Sequence, residues 1–272
     1  MSTVFAIPTA QEVKELPYVE LLARLSESNR PPGGIDTVRQ FVINCHLRPG
    51  VTVLHAGCNA GFLSRELARR SGCSVLGIDI SESMVKAANA RAQKEEIEHL
   101  VRHEHHDMRT MMLKQPYDVV LSGGALAFVN GHRQAVEQWL RVVSPFGLLA
   151  DAELYYREAP PQRILDQVSE TIGVKVPHYQ AGYWQSVFRH ELLEPYYLQD
   201  NVVTTYTEAE VQHYCEKMIA FSAHDWSEEA KEALLERLIQ VFSLFNENLK
   251  YMNYLVFVYR HTSPNAEPAL FV

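Results

Sequence analysis

A chain of 272 residues with 47% hydrophobic and 21% charged residues, 13 Gly and 13 Pro, can bury most of its apolar surface; this excludes disordered, collagen-like and coiled-coil readings. The formal net charge of -8 is unevenly placed: residues 1–150 carry 16 Lys and Arg against 15 Asp and Glu, residues 151–272 carry 9 against 18. A nucleic-acid binder draws most of its affinity from a basic face, so no nucleic-acid partner is expected.

No apolar stretch follows the first cationic residue, Lys14, and the densest apolar run, Tyr254–Val258, is far too short to span a bilayer. The expectation is a cytoplasmic protein without a leader or a membrane partner. Cys45, Cys58, Cys73 and Cys215 show no metal-finger spacing, which fits a reducing compartment and no metal.

Apolar spacing predicts helices over Leu16–Ser28 and Ile35–His46, separated by the breaker Arg30-Pro-Pro-Gly-Gly34. After the turn Arg48-Pro-Gly50, Val51–Ala56 reads as a strand, and Phe62–Ser71 as a helix closed by Gly72. The unit repeats with a strand over Ser74–Ile80, Ser81 as N-cap and a helix over Glu82–Gln93. Further strands are expected at Leu100–His106 and Tyr117–Leu121, a helix at Arg133–Val143, and a fifth strand at Leu148–Tyr155 after the turn Pro145-Phe-Gly147. Beyond it come helices at Pro161–Ile172 and Gln180–His190, a strand at Glu194–Gln199 and one long helical segment from Glu208 to about Leu249. A last strand, Tyr251–Tyr259, precedes a frayed tail after His261. Alternating strands and helices point to a parallel, doubly wound α/β sheet.

The sharpest local signal is Val53-Leu-His-Ala-Gly-Cys-Asn-Ala-Gly-Phe62 opening a helix, with Asp79 ending the next strand, 22 residues after Gly57. A glycine turn lets a nucleotide-bearing ligand approach the backbone, and an acid at that strand end can accept both ribose hydroxyls. The dinucleotide fingerprint G-x-G-x-x-G would need glycine at Asn59 and at Phe62.

Five segments in order resemble class I S-adenosylmethionine-dependent methyltransferases: Val53–Gly61, Gly77-Ile-Asp-Ile80, His106-Asp-Met108, Tyr117–Gly124 and Ser144–Ala150. More loosely, Asp151-Ala-Glu-Leu-Tyr-Tyr156 and the late helices resemble a bacterial small-molecule subgroup with a helical insertion before the last strand. The resemblance implies a Rossmann-like three-layer sandwich with a seven-stranded, mainly parallel sheet, its last strand antiparallel, and an N-terminal helical lid. Residues 1–272 would form one domain: lid 1–46, cofactor core 47–156, substrate-side helices and insertion 157–250, final strand 251–261. The implied reaction is methyl transfer from S-adenosylmethionine to an O, N or C atom of a small-molecule acceptor. A non-catalytic cofactor-binding homologue and an RNA or protein methyltransferase are the alternatives, and a homodimer stays open.

Carried over by position, Gly57, Cys58, Asn59 and Gly61 would line the methionine part of the cofactor, and Asp79 would hold the ribose. Ile80 and Met84 would touch adenine, Asp107 its amine with Met108 alongside, while Ser122 and Gly123 would close the floor. His55 stands where the family has an acid, Asn59 where it has glycine, and Gly123 where the subgroup often has a larger or acidic residue. The first weakens capture of the ligand's ammonium group; the second is mild, since Asn tolerates unusual backbone angles.

Arg30 reads equally as a clamp on the cofactor carboxylate and as part of a plain linker. Tyr155, Tyr156 and His178 are the substrate-contact or catalytic candidates, with core packing as the other reading. Tyr179, Tyr183 and Trp184 read as an aromatic wall or as rim packing. His103-Glu-His-His106 reads as an exposed polar strand end rather than a metal site, Cys58 as a small packing residue rather than a nucleophile, and Glu228–Glu236 as a solvated helix face.

Overall fold

The strands are β1 (Thr52–Ala56), β2 (Ser74–Asp79), β3 (Val101–His105), β4 (Tyr117–Leu121), β5 (Val143–Tyr156), β6 (Leu193–Val202) and β7 (Met252–His261). They form one sheet in the order β3-β2-β1-β4-β5-β7-β6, with β1 to β5 parallel and β7 antiparallel to both neighbours. The structure, a computed structural model, describes residues 5–25 and 30–262. Its helices are α1 (Ala10–Glu15), α2 (Tyr18–Leu25), α3 (Ile35–Asn44), α4 (Phe62–Ser71), α5 (Glu82–Lys94), α6 (His132–Val142), α7 (Gln162–Ile172), α8 (Ala181–Val187), α9 (Glu208–Ser222) and α10 (Glu228–Leu249).

Helices on both faces make the central strands apolar throughout. Along β1, Val53 packs with Phe41 and Leu67 on one face, and Leu54 with Val120 and Trp139 on the other. The chain runs from β1 out to β2 and β3, then crosses to β4 on the other side of β1. The carboxyl ends of β1 and β4 therefore flank the crevice where open α/β sheets take ligands. Local signals set the flanking helices: α4 runs between Gly61 and Gly72, both left-handed, and the Ser81 hydroxyl accepts the Met84 N–H at the start of α5.

Several expectations change. The long helix over 208–249 is two helices, because Ala223 ends α9 and Ser227 caps α10 through the Ala230 N–H. The turn Pro145–Gly147 lies inside β5 as an irregularity: Tyr117 pairs with Val143 but Val119 with Leu148, and Phe146 takes φ +61°. The helix expected to reach His190 stops at Val187. The first helix is α2, with residues 26–28 of its expected span outside the described residues, as is most of the tail after His261. A further helix, α1, precedes it, held by a capping box between Thr9 and Glu12.

The N-terminal helices α1 and α2 and the late helices α9 and α10 share one apolar core. Val13, Leu21 and Leu25 pack with Val211, Cys215, Leu234 and Leu238. Arg237 donates to the carbonyls of Val13 and Leu16 at the end of α1, where helical carbonyls lack partners. Leu22 and Ala23 then seat this layer on Ala60, Met84 and Ala87, beside the loop after β1.

Candidate functional site

After β1 the chain turns through three left-handed residues, Gly57 (φ +73°), Asn59 (φ +48°) and Gly61 (φ +79°). The N–H groups of Gly57 and Cys58 both donate to the Ile78 carbonyl, at 2.8 and 2.9 Å, folding the loop onto β2. A side chain at Gly57 would place its Cβ 2.2 Å from Ala125 Cβ and 3.1 Å from Met108 Cε, so only glycine lets these walls meet.

Asp79 joins the loops after β1 and β2. Its Oδ2 accepts the Asn59 N–H at 2.8 Å and its Oδ1 the Ser81 N–H at 2.9 Å. Burial raises its pKa, opposed by the backbone N–H groups of Ser81, Asn59 and Ile80. Each oxygen keeps acceptor capacity for a further donor, as two adjacent hydroxyls would require. Ile80, next in sequence, is 63% exposed, an apolar rim beside that carboxylate. Met84 instead lies buried beneath Leu22 and Ala23. Asp107 is gripped by Arg109, Nη2 to Oδ2 at 2.6 Å, and that hydrogen bonding leads the causes holding its pKa below the usual carboxylate range.

The opposite wall is Ser122–Ala125. Ser122 Oγ accepts the Ala125 N–H at 3.2 Å, while Gly123 and Gly124 pack under Pro31 and Pro32. Arg30 lies over the Phe62 ring, 4.9 Å from its centroid, at the start of α4. The Pro-Pro-Gly-Gly loop thus sits across the crevice mouth.

His55 is buried, its Nδ1 2.8 Å from Ser64 Oγ; burial, with the nearby His103, brings its pKa down to about 3. It is a neutral ring facing α4. His103 is also buried, not part of an exposed strand end: it pairs through Gly77 with His55 across the sheet register, and its ring fills the space that a Gly77 side chain would take. Asn89 Oδ1 accepts its N–H at 2.9 Å, and Asn89 Nδ2 donates to its carbonyl. His105 is exposed, and no cluster of three His, Cys, Asp or Glu side chains suited to a metal forms among the described residues. Cys58 is buried, which raises its thiol pKa well above the ordinary value.

At the end of β5, Tyr155 donates to both Asp200 carboxylate oxygens at 2.8 and 2.7 Å, and Tyr156 donates to Asn248 Oδ1 at 3.0 Å. Consecutive strand residues face opposite ways, so the two do not line one pocket. His178 meets Tyr156 edge-on, centroids 6.5 Å apart. Tyr179, Tyr183 and Trp184 gather instead around His132, whose Nδ1 lies 2.6 Å from Tyr183 Oη. A cavity of about 330 Å³ opens there, lined by His132, Arg133, Tyr179 and Tyr183 among others.

Asp151 and Glu153, named above only within a resembling segment, are both wholly buried on β5. The available signal was two acids at i and i+2 in an otherwise apolar strand, which puts both on one face.

This order of strands, with a glycine loop after β1 and an acid ending β2, is the class I methyltransferase fold. Residues 53–147 match the family model described as a methyltransferase domain. It is 26% identical to trans-aconitate 2-methyltransferase of Streptomyces avermitilis over 57% of this chain and 51% of that enzyme, about half its length. Among solved structures, the MccD protein superposes with a TM-score of 0.72 at 22% identity, over 86% of this chain and 100% of that one. A methyltransferase of Geobacter sulfurreducens in complex with S-adenosylhomocysteine gives 0.66 at 18% identity, over 90% and 98%. No helix among the described residues is long and apolar enough to cross a membrane.

Proposed function

We propose that this protein transfers a methyl group from S-adenosylmethionine to an O, N or C atom of a small-molecule acceptor, the whole chain acting as one unit. The observation that carries this is the Asp79 carboxylate, bonded to the N–H groups of Asn59 and Ser81 beside a glycine loop that admits no side chain at Gly57. Asp79 would hold the ribose hydroxyls, Ile80 the adenine face, and Gly57, Cys58 and Gly61 the methionine end, with Ser122 and Gly123 opposite. When bound, the cofactor supplies an electrophilic methyl group on a sulfonium. The protein's part is to align the acceptor with it and exclude water, with a base needed only where the acceptor must lose a proton. A second reading, cofactor binding without transfer, draws on neutral His55 at the position where the family has an acid. Incubating the protein with S-adenosylmethionine and a cell extract, then following methylated products by mass spectrometry, separates the two: tight binding without any product supports the second.

A further inference from the structure

The cavity of about 330 Å³ between α6 and α8 shares no lining residue with the crevice. One wall is the start of α6, with His132 and Arg133; the other is Tyr179 and α8, with Tyr183 and Ser186. The Tyr179 and Tyr183 rings stack nearly parallel, at 11° with centroids 3.9 Å apart, and both are half-buried. Trp184 meets each of them edge-on from behind and donates its indole N–H to the Leu154 carbonyl on β5 at 2.9 Å. The Tyr179 carbonyl accepts the Tyr156 N–H at 2.8 Å. The aromatic wall is therefore fixed to the sheet before any ligand arrives.

The charge facing this wall is positive. Burial lowers the pKa of His132, opposed by the backbone of Leu126 and Val129, so its ring is neutral, with Nδ1 2.6 Å from Tyr183 Oη. Burial, with the hydrogen bond and charge of Tyr179, pushes the Tyr183 phenol up to about 12, so it keeps its proton at neutral pH. Arg133 is exposed and reaches the Ser186 carbonyl at 3.4 Å, which uses one of its N–H donors. Among the described residues it has no carboxylate partner. Glu137, one turn along α6, lies 3.8 Å from His190 instead, and Arg109, which donates to the Asn130 carbonyl, is neutralised by Asp107. No acid among the described residues lines the cavity.

Rim packing accounts for the fixed rings, but it leaves an open space against them and a guanidinium without a counterion. One chemistry meets both. A planar ring extends the tyrosine stack, and a carboxylate on that ring takes two parallel N–H bonds from the guanidinium. The volume lies at the low end for small-molecule sites, about 300–1,000 Å³, and suits a single substituted ring.

We propose that this cavity is a second ligand site, distinct from the cofactor crevice, for a single-ring aromatic carboxylate whose ring lies against Tyr179 and Tyr183 and whose carboxylate is held by Arg133. It goes beyond methyl transfer and does not depend on it. Both walls face the cavity as they stand, so binding needs no rearrangement of the chain. An amine of the same shape is repelled by Arg133, and an aliphatic acid has no ring to stack. The segment after β4 connects the two sites, with Ala125 against Gly57 and Asn130 on the cavity.

Calorimetry on the full chain tests this with benzoate and 4-hydroxybenzoate against benzylamine, benzyl alcohol and acetate, each with and without saturating S-adenosylhomocysteine. The expected result is binding of the two aromatic acids in preference to the other three, at the same stoichiometry whether or not S-adenosylhomocysteine is present. Arg133→Gln should weaken them about tenfold, as loss of a hydrogen bond to a charged group does, with Tm level because the side chain is exposed. Tyr179→Leu should weaken them about threefold to tenfold; Arg133→Gln decides the matter if that variant fails to fold. Preference for benzylamine, acetate or benzyl alcohol bound as tightly as benzoate, no binding of any ring compound, competition between benzoate and S-adenosylhomocysteine, or benzoate affinity indifferent to Arg133→Gln overturns the proposal.

Discussion

Two acidic positions lie on either side of the crevice, and they are built differently. Asp79 keeps an edge to solvent and holds two backbone N–H groups from neighbouring loops, whereas Asp151 and Glu153 are wholly enclosed with three oxygens unpartnered. The first arrangement is locally satisfied and stabilises the loops that it joins. The second holds protons in the interior, because burial raises the pKa of both carboxyls.

The largest expected effect falls on the satisfied side. Gly57→Val puts a branched side chain at φ +73° into Ala125 and Met108. It should destabilise the protein by about 3 kcal/mol, read as a lower Tm, and remove S-adenosylhomocysteine binding. Asp79→Ala leaves the N–H groups of Asn59 and Ser81 without their acceptor and should weaken that ligand by about 2–3 kcal/mol, roughly a hundredfold. A change confined to stability, with affinity intact, would make the two sides alike.

On the other side the readout is pH. A carboxyl whose pKa is raised by folding makes the native state hold more protons than the unfolded chain, so stability falls as pH rises from the free carboxyl range, about 4, to the folded value of Asp151, about 7. The wild type should lose up to ~1.4 kcal/mol per pH unit for each such proton over that window. The double variant Asp151→Asn/Glu153→Gln should lose this slope, as urea denaturation at stepped pH will show. The smallest effect is that of Arg30→Ala, which removes the guanidinium over Phe62 and should cost about 0.5–1 kcal/mol of ligand affinity, measurable by calorimetry.

The same contrast explains what was legible in the sequence. The extents of α4 and β4 were read as Phe62–Ser71 and Tyr117–Leu121, as they stand in the structure, because glycine caps and short apolar runs are local signals. Asp79 was placed by its distance from the glycine loop. The capping box at Thr9, ahead of the first expected helix, and the N-cap Ser227, inside the long expected one, were local signals as well. The burial of His103, Asp151 and Glu153, and that of Met84 beneath Leu22 and Ala23, depended on which helices cover the sheet, which no spacing within one segment reveals. The acidity of the second half likewise divides: Glu228 and Glu229 lie on the exposed face of α10, while Asp151 and Glu153 point into the core beside the crevice.

Titration calorimetry of S-adenosylhomocysteine, with NAD as the control ligand, against the wild type and Asp79→Ala tests the account most directly. The account predicts binding of S-adenosylhomocysteine and not NAD, weakened roughly a hundredfold by the substitution while the fold survives. Binding of NAD instead, or S-adenosylhomocysteine affinity indifferent to Asp79→Ala, would contradict it.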